Sequence, residues 1–531
     1  MNYILLGIIA IVYVFILVAL SWYAYRGTKS ASDYMVGGRS MNSVVMALSY
    51  GATFISASAI VGFGGMSAAF GMGLQWLCLL NMLVGVVIAF IFFGKKTRRI
   101  GYSLGANTFP QLMGRFFHSK ALEIISAAII FIGMPLYAAV VMKGGAVFVE
   151  EIFHIDYHLA LLVFTLIVSV YVITGGMKGV MYTSAFQAVL MFVCMFILLV
   201  GLYKSLGMGF VEANQMLDSM DAMVPESVAA IGHQGWAKMP VFGSEQWFSL
   251  VTSLILGVGI GCLAQPQLIV RFLTVRSSKQ LNQGIFIGCL FLFITVGVVY
   301  HAGALSNLYF YQNHGKVAME MVSDIDKIIP LFINESMPNW FTILLMLCII
   351  SASMSTLSSQ FHTMGTSVAS DIYVDGVKNG QAPKHFTKWI KLGVLISIVI
   401  SYVVCYMLKE SIIARGTAMF MGMCAAAFLP TYFCMLYWKK VTRQGALWSV
   451  IAGFVASLFC LGFLHKKEAA TIGLCQAIFG KPVLIEAYPF PLIDPIVFAL
   501  PVSILVIVVV SLCTQSTSCT QPTSQKQAMQ K

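Results

Sequence analysis

Long apolar runs separated by short polar loops dominate the chain. Runs able to cross about 30 Å of hydrocarbon recur thirteen times. They lie at 3–25, 43–70, 73–93, 121–149, 159–172, 184–203, 247–270, 285–305, 340–367, 392–408, 417–438, 446–464 and 495–513. Lipid offers no partner to a backbone amide or carbonyl, so such runs must be helices or strands of a closed barrel. Apolar stretches of this length lack the two-residue alternation of barrel strands. The pattern therefore predicts an all-α membrane protein with about thirteen transmembrane helices.

Composition agrees. Of 531 residues, 59% are hydrophobic and 10% charged, and mean hydropathy is +0.87. Soluble domains carry about 25% charged residues, so a water-facing globule, a disordered chain and a disulfide scaffold are all excluded. The 12 cysteines are scattered, most of them inside apolar runs, without a CxxC or other metal spacing, which reads as buried thiols. The first run has no basic leader and no small-residue cleavage site, so it reads as a retained span.

The net charge of +12 is a topology signal and not a nucleic-acid footprint, because the basic residues sit in short loops. Assigned alternately across thirteen spans, 22 of the 32 Lys and Arg fall on the side that holds the C-terminus, with Arg271 counted among them. Lys143 alone falls inside a span. By the positive-inside rule the C-terminus is cytoplasmic and the N-terminus extracytoplasmic, in a multi-pass protein of the cell membrane. The longer loops, 204–246 and 306–339, then face outward, and their short hydrophobic patches suit small lid helices. The Gln/Ser/Thr-rich segment 514–531 reads as a disordered cytoplasmic tail. A phosphate-cradling loop at a strand-to-helix junction, a repeated ion-selectivity loop and a nucleophile–base cluster are all missing from the sequence. It thus gives no sign of direct ATP coupling, of a channel or of an enzyme.

Function in such a bundle concentrates where a span departs from plain apolar helix. The second span reads Ala47-Leu-Ser-Tyr-Gly-Ala-Thr-Phe-Ile-Ser-Ala-Ser58, then Gly62, Gly64 and Gly65. Such a stretch can unwind and offer carbonyls to a cation, or it can simply let helices pack closely. The ninth span holds six hydroxyls within 351–360. Positions 352, 355, 356 and 359 share one helical face, a stripe formed by Ala352, Ser355, Thr356 and Ser359. Uncharged oxygen ligands suit a small hard monovalent cation and not a transition metal. A proline interrupts the seventh span at Gln265-Pro266, and Gly175-Gly176 separates the fifth span from the sixth.

These pieces, in order, resemble the sodium/solute symporter family. They are Ser32-Asp33-Tyr34 to Gly37-Gly38-Arg39, the Gly51–Ala57 stretch, the segment from Tyr171 to Gln187, and Gln265-Pro266 to Arg271-Phe272. Met354-Ser355-Thr356-Leu357-Ser358-Ser359-Gln360 to Asp371-Ile372-Tyr373 and Tyr437-Trp438-Lys439-Lys440 to Gly445-Ala446 complete the set. The resemblance implies a LeuT-type core of two inverted five-helix repeats, 43–203 and 247–438. The first helix and its loop (1–42), the outer loop (204–246) and two extra helices (439–513) lie outside it. It implies Na+ as coupling ion, bound by the Ala52 and Ile55 carbonyls and by Ala352, Ser355 and Thr356. It also implies a substrate cavity touching Thr53, Ser56, Tyr137 and Gln265. Phe54 stands where proline carriers have an acid, and Val258 and Cys262 where they have aromatics, which argues against proline.

Lys143 lies mid-span among apolar and small residues. An ammonium there costs roughly 2.5–3.5 kcal/mol on insertion scales. It can pair with a substrate carboxylate, act as an electrostatic or proton-relaying group, or snorkel. The reading is sodium-coupled uptake of a small organic solute, preferably a carboxylate such as a monocarboxylate or pantothenate. The alternatives are sodium symport of an amino acid or other neutral solute, and proton coupling through Lys143.

Overall fold

The computed structural model describes residues 3–153, 155–408 and 413–515. Beyond Gln515 the expected tail lies outside the described residues. Among the described residues, eleven helices are long and apolar enough to cross a membrane, and Ser43–Phe54 and Tyr157–Val170 are shorter apolar helices. The difference from thirteen is one of counting, because two continuous helical stretches each hold parts of more than one expected crossing. Ser58–Ser103 turns at Gly71 (φ 74°) between spans two and three. Tyr157–Leu206 turns at Gly176 (φ 57°, ψ −170°) between spans five and six. Only glycine suits that backbone, and a side chain there would press into the Tyr34 ring. Among the described residues the sole β-pairing is an isolated bridge between Met41 and Val275.

Two spans are broken within the bundle. Span two runs Ser43–Phe54, leaves helical geometry at Ile55 (φ −91°, ψ 105°), and resumes to end at Phe70. Span seven breaks at Gln265 (φ −74°, ψ 114°) and resumes as Pro266–Thr274. The second break has a plain cause. Proline has no amide for the ladder, disfavours a helical residue before it, and is pre-set for the first position of a new helix. The first has neither proline nor glycine at the break. There hydroxyls of span nine take over the carbonyls that the helix releases. The ends of the two broken spans are tied together: the Met41 amide donates to the Thr274 carbonyl (3.1 Å), and the Arg276 amide to the Met41 carbonyl (3.2 Å).

The glycines after the first break serve packing and not the break. A Cβ on Gly64 would crowd Val299 and Ile329, and one on Gly65 would overlap the Ile325 carbonyl. The second half of span two is thus pressed between span eight and a turn of the loop 306–339 that precedes span nine. That loop carries the short helices Ala318–Met321 and Ile328–Ser336, and the loop after span six carries Phe210–Ser219 and Glu226–Ala229. Span one docks through Tyr13, whose hydroxyl accepts from Gln187 (3.0 Å) and Ser351 (2.7 Å). Spans twelve and thirteen join through a Ser449–Ser503 hydroxyl pair (2.9 Å).

Candidate functional site where the broken spans meet span nine

The break in span two ends its i→i+4 ladder beside span nine (Asn339–Thr366). The Ser355 hydroxyl donates to the Ala52 carbonyl at 2.7 Å and lies 3.0 Å from the Ala352 carbonyl. The Thr356 hydroxyl donates to the Thr53 carbonyl at 3.0 Å. Ala52, Ala352 and Ser355, three of the five residues expected at a sodium site, are therefore joined by direct contacts, while Thr356 bonds the adjacent carbonyl of Thr53. Ile55, the fifth, is the residue at which the helix opens. All are buried, and every contacting atom is an uncharged oxygen. That donor chemistry fits a monovalent hard cation.

One helical turn further along span nine, the Ser359 hydroxyl pairs with Thr53 Oγ1 (2.9 Å). Arg271 enters here. Its sequence position groups it with the loop charges, but the structure places it inside the bundle, 0% exposed, on the second half of span seven. Its guanidinium donates to the hydroxyls of Ser49, Thr53 and Ser359. The apolar run before it ends at Val270, and Arg276 and Lys279 follow, so the charge reads as loop. The signal that could have found it is the proline break five residues earlier, which restarts a helix through Arg271. Lys143 is therefore not the only cation within a span.

The remaining cavity residues form a second group. Tyr137 stacks on Phe420 of span eleven, with centroids 5.1 Å apart, and its hydroxyl faces the Ser56 side chain. Gln265 faces Cys424 on the same span; its Nε2 donates to the Gly261 carbonyl (3.2 Å) and its Oε1 accepts from Gln267 Nε2 (3.0 Å). Ser56, Tyr137 and Gln265 thus converge on one face of span eleven. Thr53 stands apart from them, with Ser359 and Arg271. Phe54 and Cys262 both abut span three at Gly85. His301 and His362 have protein partners, the Tyr203 hydroxyl (2.5 Å) and the Tyr34 carbonyl (2.9 Å) respectively.

Lys143 is 5% exposed, about 9 Å along the helix from Tyr137 at 1.5 Å per residue. Its neighbour Gly144 abuts Ala57 and Ser58 just past the break, and Gly145 abuts Ser353. Asp326, which carries no signal in the sequence, belongs to the turn Ile325–Lys327 of the loop 306–339 and is 3% exposed. Burial, with Asp324 adding, pushes its carboxyl up to about 7, while the charges of Lys143 and Arg415 oppose that rise. A buried carboxylate therefore already shares the electrostatic neighbourhood of Lys143.

The same architecture recurs in solved transporters. A substrate-bound, outward-open Na+-coupled sialic acid symporter superposes with a TM-score of 0.74 at 16% identity, covering 98% of each chain. Mhp1, a nucleobase-cation-symport-1 family transporter in a closed conformation, superposes at 0.51 and 12% identity, covering 95% of this chain and 99% of its own. The fold is thus of the LeuT type. In sequence, an osmoregulated proline transporter of Bacillus subtilis is 27% identical over 474 residues, 88% of this chain and 90% of that one. A sodium/pantothenate symporter of Haemophilus influenzae is 29% identical over 457 residues, 84% and 89% of the two chains. The family match itself runs through residues 34–453, taking in both broken spans and the hydroxyl stripe of span nine. The chain, a multi-pass membrane protein with Na+ as its coupling ion, belongs to the sodium:solute symporter family.

Proposed function

We propose that this protein carries a carboxylate-bearing organic solute, such as a monocarboxylate or pantothenate, into the cell together with Na+. Its N-terminus would be extracytoplasmic and its C-terminus cytoplasmic, as the distribution of loop Lys and Arg favours. The observation that carries the reading is the Ser355 hydroxyl, within 3.0 Å of both the Ala52 and Ala352 carbonyls. It joins the break in span two to span nine. Na+ bound among these oxygens and those of Ile55 and Thr356 replaces hydroxyl-to-carbonyl bonds with ion contacts. That couples the arrangement of span two to the ion. Ser56, Tyr137 and Gln265, beside the same break, would then contact the solute, and Lys143 would supply the counter-charge for its carboxylate. In this account Thr53 holds the inner edge of the sodium site. One charge moving through 100 mV supplies about 2.3 kcal/mol toward uptake, and its concentration gradient adds to this.

A neutral or zwitterionic solute is the second reading, favoured by the proline transporters among the relatives. Uptake of labelled pantothenate, acetate, pyruvate, lactate, proline and glucose into proteoliposomes, with an inward Na+ or K+ gradient, separates the two. Sodium-dependent carboxylate uptake that Lys143→Ala abolishes is the expected result. Sodium-dependent proline or glucose uptake that is indifferent to Lys143→Ala would sink the carboxylate reading. Uptake that survives replacing Na+ by K+ at constant pH would sink sodium coupling.

A further inference from the structure

Arg271 presents a fully buried guanidinium whose hydrogen bonds go to three hydroxyls, on Ser49, Thr53 and Ser359. Among the described residues no carboxylate forms an ion pair with it, and its Nε faces no acceptor. Holding a charge in such a place is expensive unless it is paired. Neutral hydroxyls can be satisfied without any charge at all, and the Thr53–Ser359 pair already shows this at 2.9 Å. Structural gluing of three helices would need only an amide. The charge itself therefore calls for a reason.

Its position supplies one. Thr53 and Ser359 are the hydroxyls next to the sodium oxygens, since Thr53 also lends its carbonyl to Thr356. Ser359 lies about one helical turn, roughly 6 Å, beyond Ser355. All three acceptors lie toward the ends of spans two and nine that face the cytoplasm in the proposed orientation. Below them, the Tyr34 ring stacks on His362 at 5.6 Å and covers that end. Arg271 rides on the second half of span seven, which the Gln265-Pro266 break separates from the first half. It can therefore move as that half-helix moves.

We propose that Arg271 is the inner latch of the sodium site. Its guanidinium holds the second half of span seven against spans two and nine, bars Na+ from the cytoplasmic side, and keeps Na+ affinity low enough for release once it withdraws. This rests on the sodium-site reading above. Arg271 acts on the ion through Thr53 and Ser359, so it is a positioning residue and not a ligand. Unit charges of like sign at this range, in an effective dielectric near ~20, oppose each other by at least ~tenfold in affinity.

The test uses the full chain in proteoliposomes, with apparent Na+ affinity, net uptake and solute exchange as readouts. Arg271→Gln keeps donors for the hydroxyls and removes the charge. It is expected to lower the Na+ needed for half-maximal solute binding about tenfold. Net uptake should slow, because Na+ release becomes limiting, while exchange at saturating Na+ persists. Arg271→Lys keeps the charge and should hold the native Na+ requirement. A merely structural arginine would lower the amount of folded protein in both variants without tightening Na+ binding. An unchanged Na+ requirement and an unchanged ratio of net uptake to exchange in Arg271→Gln overturn the latch.

Should Arg271→Gln not accumulate in the membrane, Ser49→Ala and Ser359→Ala each remove one acceptor. Either should increase labelling of Thr363→Cys by an impermeant thiol reagent applied from the cytoplasmic side in Na+-free buffer. Unchanged labelling again overturns the proposal. Failure of the sodium site itself shows separately, as Na+-dependent uptake that survives Ser355→Ala.

Discussion

Two buried cations, Lys143 and Arg271, deal with the same desolvation cost in different ways. Lys143, within span four, has the buried Asp326 carboxyl within its electrostatic reach. Arg271, on the second half of span seven, is held by hydroxyls. The first arrangement sets a buried carboxyl in the field of a lysine, where under the proposed function a solute carboxylate would compete for the same charge. The second is a charge among neutral dipoles, which suits opposing another cation. The difference suggests a division of labour along one pathway. In the proposed cycle the lysine would select the solute's charge, and the arginine would govern departure of the ion.

The largest effect is expected at the hydroxyl on which the proposed sodium site turns. Ser355→Ala deletes the hydroxyl that links the Ala52 and Ala352 carbonyls. It is expected to abolish Na+-dependent uptake while the protein still accumulates, because an alanine hydrogen-bonds nothing but fits the space. Uptake against a K+ control reads this out.

Next in size is Lys143→Met. Truncating one member of a buried charge pair costs about 2–5 kcal/mol, so carboxylate uptake should fall at least ~30-fold at subsaturating solute. The variant also leaves Asp326 with Arg415 as its remaining positive neighbour, and thermal stability in detergent should drop. Adding Asp326→Asn should restore stability without restoring uptake. Arg271→Met leaves only hydroxyls, which can pair among themselves, and should destabilise less than Lys143→Met. Equal loss in the two, measured as melting temperature, would erase the distinction drawn here.

A smaller effect is expected from Gly65→Ala. Its Cβ would overlap the Ile325 carbonyl, pushing the turn that carries Asp326 away from span two. A several-fold change in the KM for the carboxylate, with the Na+ requirement unaltered, is the expected signature.

The smallest is a pH effect. The Asp326 carboxyl is raised to about 7, so its ionised form is disfavoured in the folded protein. Stability from this group is fully present below the ordinary carboxylate range and is lost as pH rises through about 7. Melting temperature should therefore decline modestly from pH 6 to 8, and Asp326→Asn should flatten that slope. The charges that bear on this group are Asp324, Lys143 and Arg415. Its neighbour in the turn, Lys327, is paired at 4.0 Å with Glu150 of span four. Over the same interval the KM for a carboxylate should rise, because ionised Asp326 competes for Lys143.

Much of this was legible in the sequence, for identifiable reasons. The stripe of Ala352, Ser355, Thr356 and Ser359 follows from helical periodicity in a run with too many hydroxyls. Lys143 stands out because nothing near it in the run is charged. The break at Gln265 is announced by Pro266. Other features lacked a local signal. Ile55, an apolar β-branched residue, gives no warning that the helix opens there, and the conspicuous glycines at 62, 64 and 65 drew the eye to a place where they serve close packing instead. Arg271 was hidden by its neighbours, since a basic residue at the end of an apolar run, followed by Arg276 and Lys279, looks like a loop. Asp326 was hidden in a loop with other acids, and only the fold brings that loop down against span two and into the field of Lys143.

The measurement that bears most directly on the central claim is solute uptake by the native chain and by Ser355→Ala, with an inward Na+ or K+ gradient across the same proteoliposomes. The account predicts carboxylate accumulation in the native protein with Na+ and not with K+, and no Na+ stimulation in Ser355→Ala. Equal accumulation with both cations, or Na+ stimulation that survives Ser355→Ala, would contradict it.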